Sequence, residues 1–399
     1  MLPRSRTVRY DAVIVGASIS GLFAGMQLAR EGWRVCIVDR KKHIGLPVRC
    51  GEATGNRAEL SRFFDVDESW IAGDFAGFVA HVNNGFTLQR ELTDAGVLLH
   101  RDKFEQWLAQ KARHFGAEIR LESAVTGLIR ARRGWSGIRS RDGATIDAAY
   151  IIGADGCESM VGQWAGLTTH LALRDSFSAV QYQVESDFCR DGLLHFFVGA
   201  SIIPHGYLWI FPKGMHHIAV GAGIYGPRRH LHTARHYLDT FIHAQLGDVG
   251  KDNLICGCAP LAICPKSLVR DNVMIIGDAA RQVNPLTAGG IMNALESTAL
   301  AVTSLLKSKR NANNATLVRG YCSKWKKTQR RQQKIFAILL RVFLESTDQE
   351  VIAALKAGSE IFKEPVDRKK NFTLPLVKVL KLTVVFFPKL MRHWRLLTR

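Results

Sequence analysis

The sequence predicts an α/β protein in the α+β sense: a discontinuous Rossmann-like domain, interrupted by an antiparallel sheet and followed by a helical C-terminal region. Three observations predict it. A strand, a glycine-bearing loop, a helix and a second strand follow one another between Tyr10 and Asp39. Short runs with alternating apolar residues fill the middle of the chain. A buried-type strand then returns at residues 272–276 and leads into a helix.

Each element has a local reason. The run YDAVIV (10–15) is apolar without alternation, as a strand covered on both faces must be. Residues 22–30 repeat apolar positions at helical spacing, and RVCIV (34–38) is a second strand closed by Asp39. Residues 101–115 form a helix that Asp102 is placed to cap. Residues 118–123, 137–141 and 148–152 read as strands. Residues 176–185, 195–198, 206–212 and 217–223 alternate as an antiparallel sheet does. Residues 290–307 form a helix, and the remainder is helical and basic. The expected division gives 1–80, 96–172 and 266–306 to the nucleotide-binding domain, 81–95 and 173–265 to the antiparallel domain, and 307–399 to the C-terminal region.

Composition is that of a globular protein, with 47% apolar and 22% charged residues. The charge is less ordinary. The chain carries 54 Lys and Arg against 35 Asp and Glu, a net +19, and residues 307–399 alone carry 22 of those bases and 6 of those acids. An anionic partner therefore belongs to the C-terminal quarter. The eight cysteines are too few for a disulfide scaffold of 399 residues. The short basic start MLPRSRTVRY has no apolar core of a signal peptide, so the thiols are expected reduced and the compartment cytoplasmic. Cys256-x-Cys258 with Cys264 has the wrong spacing for zinc. No apolar run is long enough to cross a membrane.

Three motifs carry the chemistry. GASISG, Gly16 to Gly21, joins strand to helix, where backbone amides and the helix N-terminus favour a pyrophosphate. Its middle glycine is Ser18, whose hydroxyl can donate to a phosphate. Asp39 stands 18 residues beyond Gly21, where a carboxylate accepts bonds from a ribose diol. The second motif, IIGADGCES, ends a strand and presents Asp155 to a ligand; a plain turn is the competing reading. The third, VMIIGDAARQVNPLTAGGIMNALE, puts Asp278 at a strand end and Gly290 at a helix start.

This order of motifs resembles the flavin-dependent family typified by para-hydroxybenzoate hydroxylase, and so implies one bound FAD. Within it, IGLPVRCGEA with Cys50 and the strand PHGYLWIFPKG resemble the geranylgeranyl reductases, with archaeal digeranylgeranylglycerophospholipid reductases nearest in motif. Gly162, where the hydroxylases place an arginine, points the same way. The resemblance covers residues 10–304. It departs at Ser18 and in the more basic tail. It implies cofactor contacts from Gly16, Ser18, Ser20, Gly21, Asp39, Arg40, Cys50, Gly51, Ala53, Arg101, Val125, Asp155, Asp278, Gly290 and Ile291. It implies a catalytic Cys50 at the flavin, a small buried thiol being the competing reading. It also implies a substrate channel of Tyr207, Trp209, Phe211 and Pro212, against an ordinary core stripe.

The expected reaction is hydride transfer from reduced flavin to a carbon–carbon double bond of an isoprenoid lipid, with NAD(P)H or another reductant as donor. A flavin monooxygenase or halogenase is the alternative; Tyr207 stands where halogenases carry a first tryptophan, and a dependence on oxygen separates the two. The segment 374–397 mixes aliphatic and aromatic residues with Lys378, Lys381, Lys389, Arg392 and Arg395. It is expected either to lie on an anionic membrane surface, with the protein peripheral, or to dock on its own domain. The cluster KWKKTQRRQQK interleaves one aromatic, Trp325, which argues against nucleic acid.

Overall fold

The computed structural model describes residues 9–83, 85–188, 191–214, 216–226, 232–311 and 319–361, with Lys389 and Arg392. The chain groups into two compact units. The first takes in Met1–Val48, Arg101–Ala172 and Pro260–Gln333; the second takes in Arg49–His100, Leu173–Ala259 and Lys334–Arg399.

In the first unit the strands Glu118–Arg120, Val35–Val38, Tyr10–Val15, Thr145–Gly153 and Val273–Ile275 lie side by side and pair in parallel. Ala12, Val13, Ile14, Cys36, Ile37 and Val38 have no exposed surface. This is why they read as unbroken apolar runs: both faces of a parallel sheet are covered. The helix Ile19–Arg30 buries Leu22, Phe23 and Leu28 completely. Each such side chain contributes about 1.5–3 kcal/mol. The helix Arg101–His114 begins at Arg101, so Asp102 lies in its first turn and does not cap it. There its charge still favours the helix N-terminus.

The second unit holds an eight-stranded sheet. Its order is Lys251–Pro260, Ser176–Glu185, His217–Tyr225, Gly206–Pro212, Leu193–Val198, Ile71–Val82, Phe86–Leu99 and Ala53–Thr54. Ile71–Val82 and Phe86–Leu99 form a long hairpin that joins Leu193–Val198 in parallel, and this pairing groups residues 49–80 and 96–100 with the antiparallel strands. Leu208, Ile210, Val220 and Ala222 point to one face, where they share a core with Leu238, Phe241 and Ile242 of the helix Ala234–Leu246. That helix starts where the Thr233 hydroxyl accepts the His236 N–H. Tyr207, Trp209 and Phe211 alternate onto the opposite face.

The helices Arg331–Leu344 and Asp348–Ile361 follow. Thr347 and Glu350 cap the second reciprocally, the Thr347 N–H reaching the Glu350 carboxylate at 2.7 Å. The segment 374–397 lies outside the described residues apart from Lys389 and Arg392. Lys389 pairs with Glu350 at 2.6 Å, and Arg392 with Glu345 at 3.1 Å. Among the described residues no helix is long and apolar enough to cross a membrane, and no three His, Cys, Asp or Glu side chains gather as a metal site. Their seven cysteines are free thiols.

Candidate functional site

The first unit builds a cradle at the ends of its parallel strands. Gly16 follows the strand Tyr10–Val15 with φ of +113°, and a Cβ there would sit 2.1 Å from the Ala154 carbonyl oxygen. Only glycine satisfies both demands. Ser18 stands at the N-terminus of the helix Ile19–Arg30 with its side chain uncommitted to the helix. Its hydroxyl receives the Lys41 ammonium at 3.1 Å, and Lys41 also donates to the Ala17 carbonyl. Asp39 ties this loop to the second strand: the Ala17 N–H reaches Oδ2 at 2.6 Å and the Lys41 N–H reaches Oδ1 at 2.8 Å. Each oxygen keeps a further lone pair for a hydroxyl.

Arg101 donates to the buried Glu105 at 3.0 Å, and Lys41 lies 3.7 Å from the same carboxylate. Asp278, in the turn after Val273–Ile275, makes no side-chain hydrogen bond or ion pair among the described residues. Burial pushes its carboxyl above the usual range, and the Arg101 guanidinium opposes this. Gly290, just before the helix Ile291–Asn311, lies beside the Asp278 carboxylate, and Ile291 is buried at that helix start. Gly277, with φ of +62°, lies against Ser20 and brings this turn to the glycine loop. Ser123 donates its N–H to the Asp39 carbonyl, holding the segment before Val125 next to the second strand.

So Gly16, Ser18, Ser20, Gly21, Asp39, Arg101, Asp278, Gly290 and Ile291 come together around the strand ends. Arg40 is exposed and makes no ion pair among the described residues. Asp155 is engaged within the protein: the Ser159 hydroxyl donates to it at 2.6 Å and the Val161 N–H at 3.0 Å. Burial raises its carboxyl. The cradle fits a dinucleotide. A glycine backbone and a helix start are suited to its phosphates, Asp39 is suited to a diol, and the half-buried Asp278, without a side-chain partner among the described residues, is suited to a further hydroxyl. Lys41 and Glu105 belong to this set and were not singled out from the sequence; Glu105 had a signal in its spacing of four from Arg101.

The second unit gathers the cysteine loop and the aromatic strand. Cys50 is half-buried, and its carbonyl accepts the Gln181 amide at 3.2 Å. Gln181 in turn accepts the Trp209 indole N–H at 3.1 Å. Gly51 lies under Phe211: a Cβ there would come within 2.9 Å of that ring. Ala53 pairs with Leu98 across a two-residue strand. The Tyr207 and Trp209 rings are 5.6 Å apart, those of Trp209 and Phe211 6.3 Å apart, and Phe196 and Phe177 close the same surface at 5.3 Å from Phe211 and 5.2 Å from Tyr207. Pro212 ends the strand. Burial raises the Tyr207 phenol well above its usual value. The result is a continuous aromatic face whose polar groups are few, suited to a long apolar chain. Phe177, Phe196 and Gln181 also sit on strands, but their partners come from strands distant in sequence.

The chain matches the geranylgeranyl reductase catalytic domain over residues 175–259 and the FAD binding domain over residues 9–201. It is 31% identical over 363 residues to a digeranylgeranylglycerophospholipid reductase of Methanosarcina acetivorans, covering 88% of this chain and 89% of the relative. A crystal structure of a geranylgeranyl bacteriochlorophyll reductase-like protein from Thermoplasma acidophilum superposes with a TM-score of 0.85 at 27% identity, over 98% of this chain and all of that one. A flavin-dependent brominase superposes with a TM-score of 0.70 at 17% identity, over 94% and 95% of the two chains, which is a likeness of fold alone.

Proposed function

Since the chain belongs to the geranylgeranyl reductase family of FAD-dependent enzymes, we propose that it reduces carbon–carbon double bonds in the isoprenoid chains of a phospholipid of the digeranylgeranylglycerol kind. The observation that carries this reading is the packing of the Cys50–Gly51 loop against the Trp209–Phe211 face. An apolar chain lies well on such a surface, and a thiol beside it is a source of a proton.

When bound and reduced, FAD supplies the hydride for such a double bond. The protein's part is to hold and orient. Gly16, Ser18, Asp39, Lys41, Arg101 and Asp278 hold the cofactor. Tyr207, Trp209 and Phe211 exclude water from the isoprenoid chain. Cys50 holds at Sγ the proton that completes the reduction. Electrons come from NAD(P)H or another reductant. The basic C-terminal region supports peripheral attachment to an anionic membrane, where each Lys or Arg near the surface contributes about 1 kcal/mol. No nucleic-acid partner belongs to this reading.

Mass spectrometry of membrane lipids from cells with and without the protein tests it. Species heavier by two mass units per reduced bond are expected only with the protein. A Cys50→Ala variant that binds FAD normally is expected to lose most of this reduction; undiminished reduction returns Cys50 to a packing role.

A further inference from the structure

Two side chains of the strand Gly206–Pro212, and the residue just beyond its end, address three consecutive residues of the cysteine loop. Trp209, through Gln181, reaches Cys50; Phe211 covers Gly51; and Lys213, two residues beyond, reaches Glu52. The last contact is unusual. Lys213 and Glu52 form an ion pair of 2.7 Å with side chains only 6% and 2% exposed. Lys213 also donates to the Leu99 carbonyl at 2.6 Å, and the Leu99 N–H donates to the Glu52 carbonyl at 3.0 Å. Charges are rarely buried unless paired, and such a pair adds little stability over an apolar one. Its presence here calls for a role in conformation.

The backbone supplies that role. Glu52 has φ of +68°, a left-handed conformation that costs a non-glycine residue energy and persists only when its surroundings enforce it. In this conformation the Glu52 N–H points at the Cys50 sulfur, 3.2 Å away. We propose that Lys213 and Glu52 are positioning residues for Cys50: their buried ion pair holds the left-handed turn that fixes the sulfur against the Glu52 N–H. The proposal rests on the reading of Cys50 as a functional thiol for its consequence in turnover, but not for the geometry itself.

Hydrogen exchange of the peptide spanning residues 49–54, measured by mass spectrometry on the FAD-loaded protein, tests it together with steady-state kinetics. Lys213→Met is expected to speed exchange of the Glu52 amide by about tenfold, the scale of one lost hydrogen bond, and to lower kcat with little change in KM. Lys213→Arg is expected to restore both. Because Lys213→Met strands a buried carboxylate and can compromise folding, the double variant Lys213→Met with Glu52→Gln carries the same test without a buried charge. Unchanged exchange in that folded double variant overturns the proposal. Faster exchange with undiminished kcat, in a protein whose Cys50→Ala variant is also fully active, upholds the positioning and instead removes the catalytic reading of the thiol.

Discussion

At the residue scale, Asp278 and His81 behave differently for one reason, burial. Asp278 has a carboxylate with no partner of its own among the described residues, beside Gly290 and near the charge of Arg101. In the proposed reading a hydroxyl of the cofactor would complete it. Asp278→Asn keeps the shape and loses the charge-assisted bond, and is expected to weaken FAD binding about 10–100-fold in a fluorescence titration; unchanged affinity would remove Asp278 from the cofactor set. His81 sits in a chain of three groups. His195 donates from Nε2 to Asp191 at 3.0 Å, leaving Nδ1 to accept from His81 Nε2 at 2.9 Å. Burial, and next the neighbouring His195, push the His81 imidazole down to about 4, against the pull of Asp191. The unfolded state therefore takes up a proton near pH 6.5, whereas the folded state resists until about pH 4. Stability is expected to fall as pH drops through that window, and thermal unfolding of His81→Phe should show a flatter acid limb than the parent chain.

At the element scale, legibility followed periodicity. The strands Ser176–Glu185 and Gly206–Pro212 stand where alternation put them, because one face of each is packed by a helix and the other by aromatic side chains. The long hairpin Ile71–Leu99 was hidden. Its two strands run through Asp74, Glu91 and Asp94, and their register shifts near Ile71 and Phe75 break the alternation. The helix Ala234–Leu246 was hidden too, since His236, Tyr237 and His243 dilute its apolar stripe. Yet Leu238 on that helix is fully buried against the strands. Leu238→Ala is expected to cost about 2–5 kcal/mol in denaturant unfolding, and a loss below 1 kcal/mol would mean that the helix is not part of this core. In the cradle, Gly16 and Asp39 were legible from spacing; Lys41 and Glu105 were not, because their roles arise only when α-helical Arg101 and the glycine loop meet in space.

At the scale of the whole molecule, two chemistries are divided between two units. The first presents backbone amides, carboxylates and cations suited to a dinucleotide; the second presents an aromatic face and a thiol suited to a long apolar chain. The excess of positive charge is a third property, concentrated beyond residue 307. Of the tail's basic residues, Lys389 and Arg392 pair with Glu350 and Glu345, so the proposed binding to anionic vesicles would compete with these contacts and is expected to weaken steeply with salt. The reductase reading is tested most directly without oxygen. The FAD-loaded protein is reduced anaerobically and mixed with a digeranylgeranylglycerophospholipid in detergent. Return of the oxidised flavin colour, with lipid gaining two mass units per bond, is the expected result. A flavin that stays reduced under nitrogen and reoxidises only when air is admitted would contradict it.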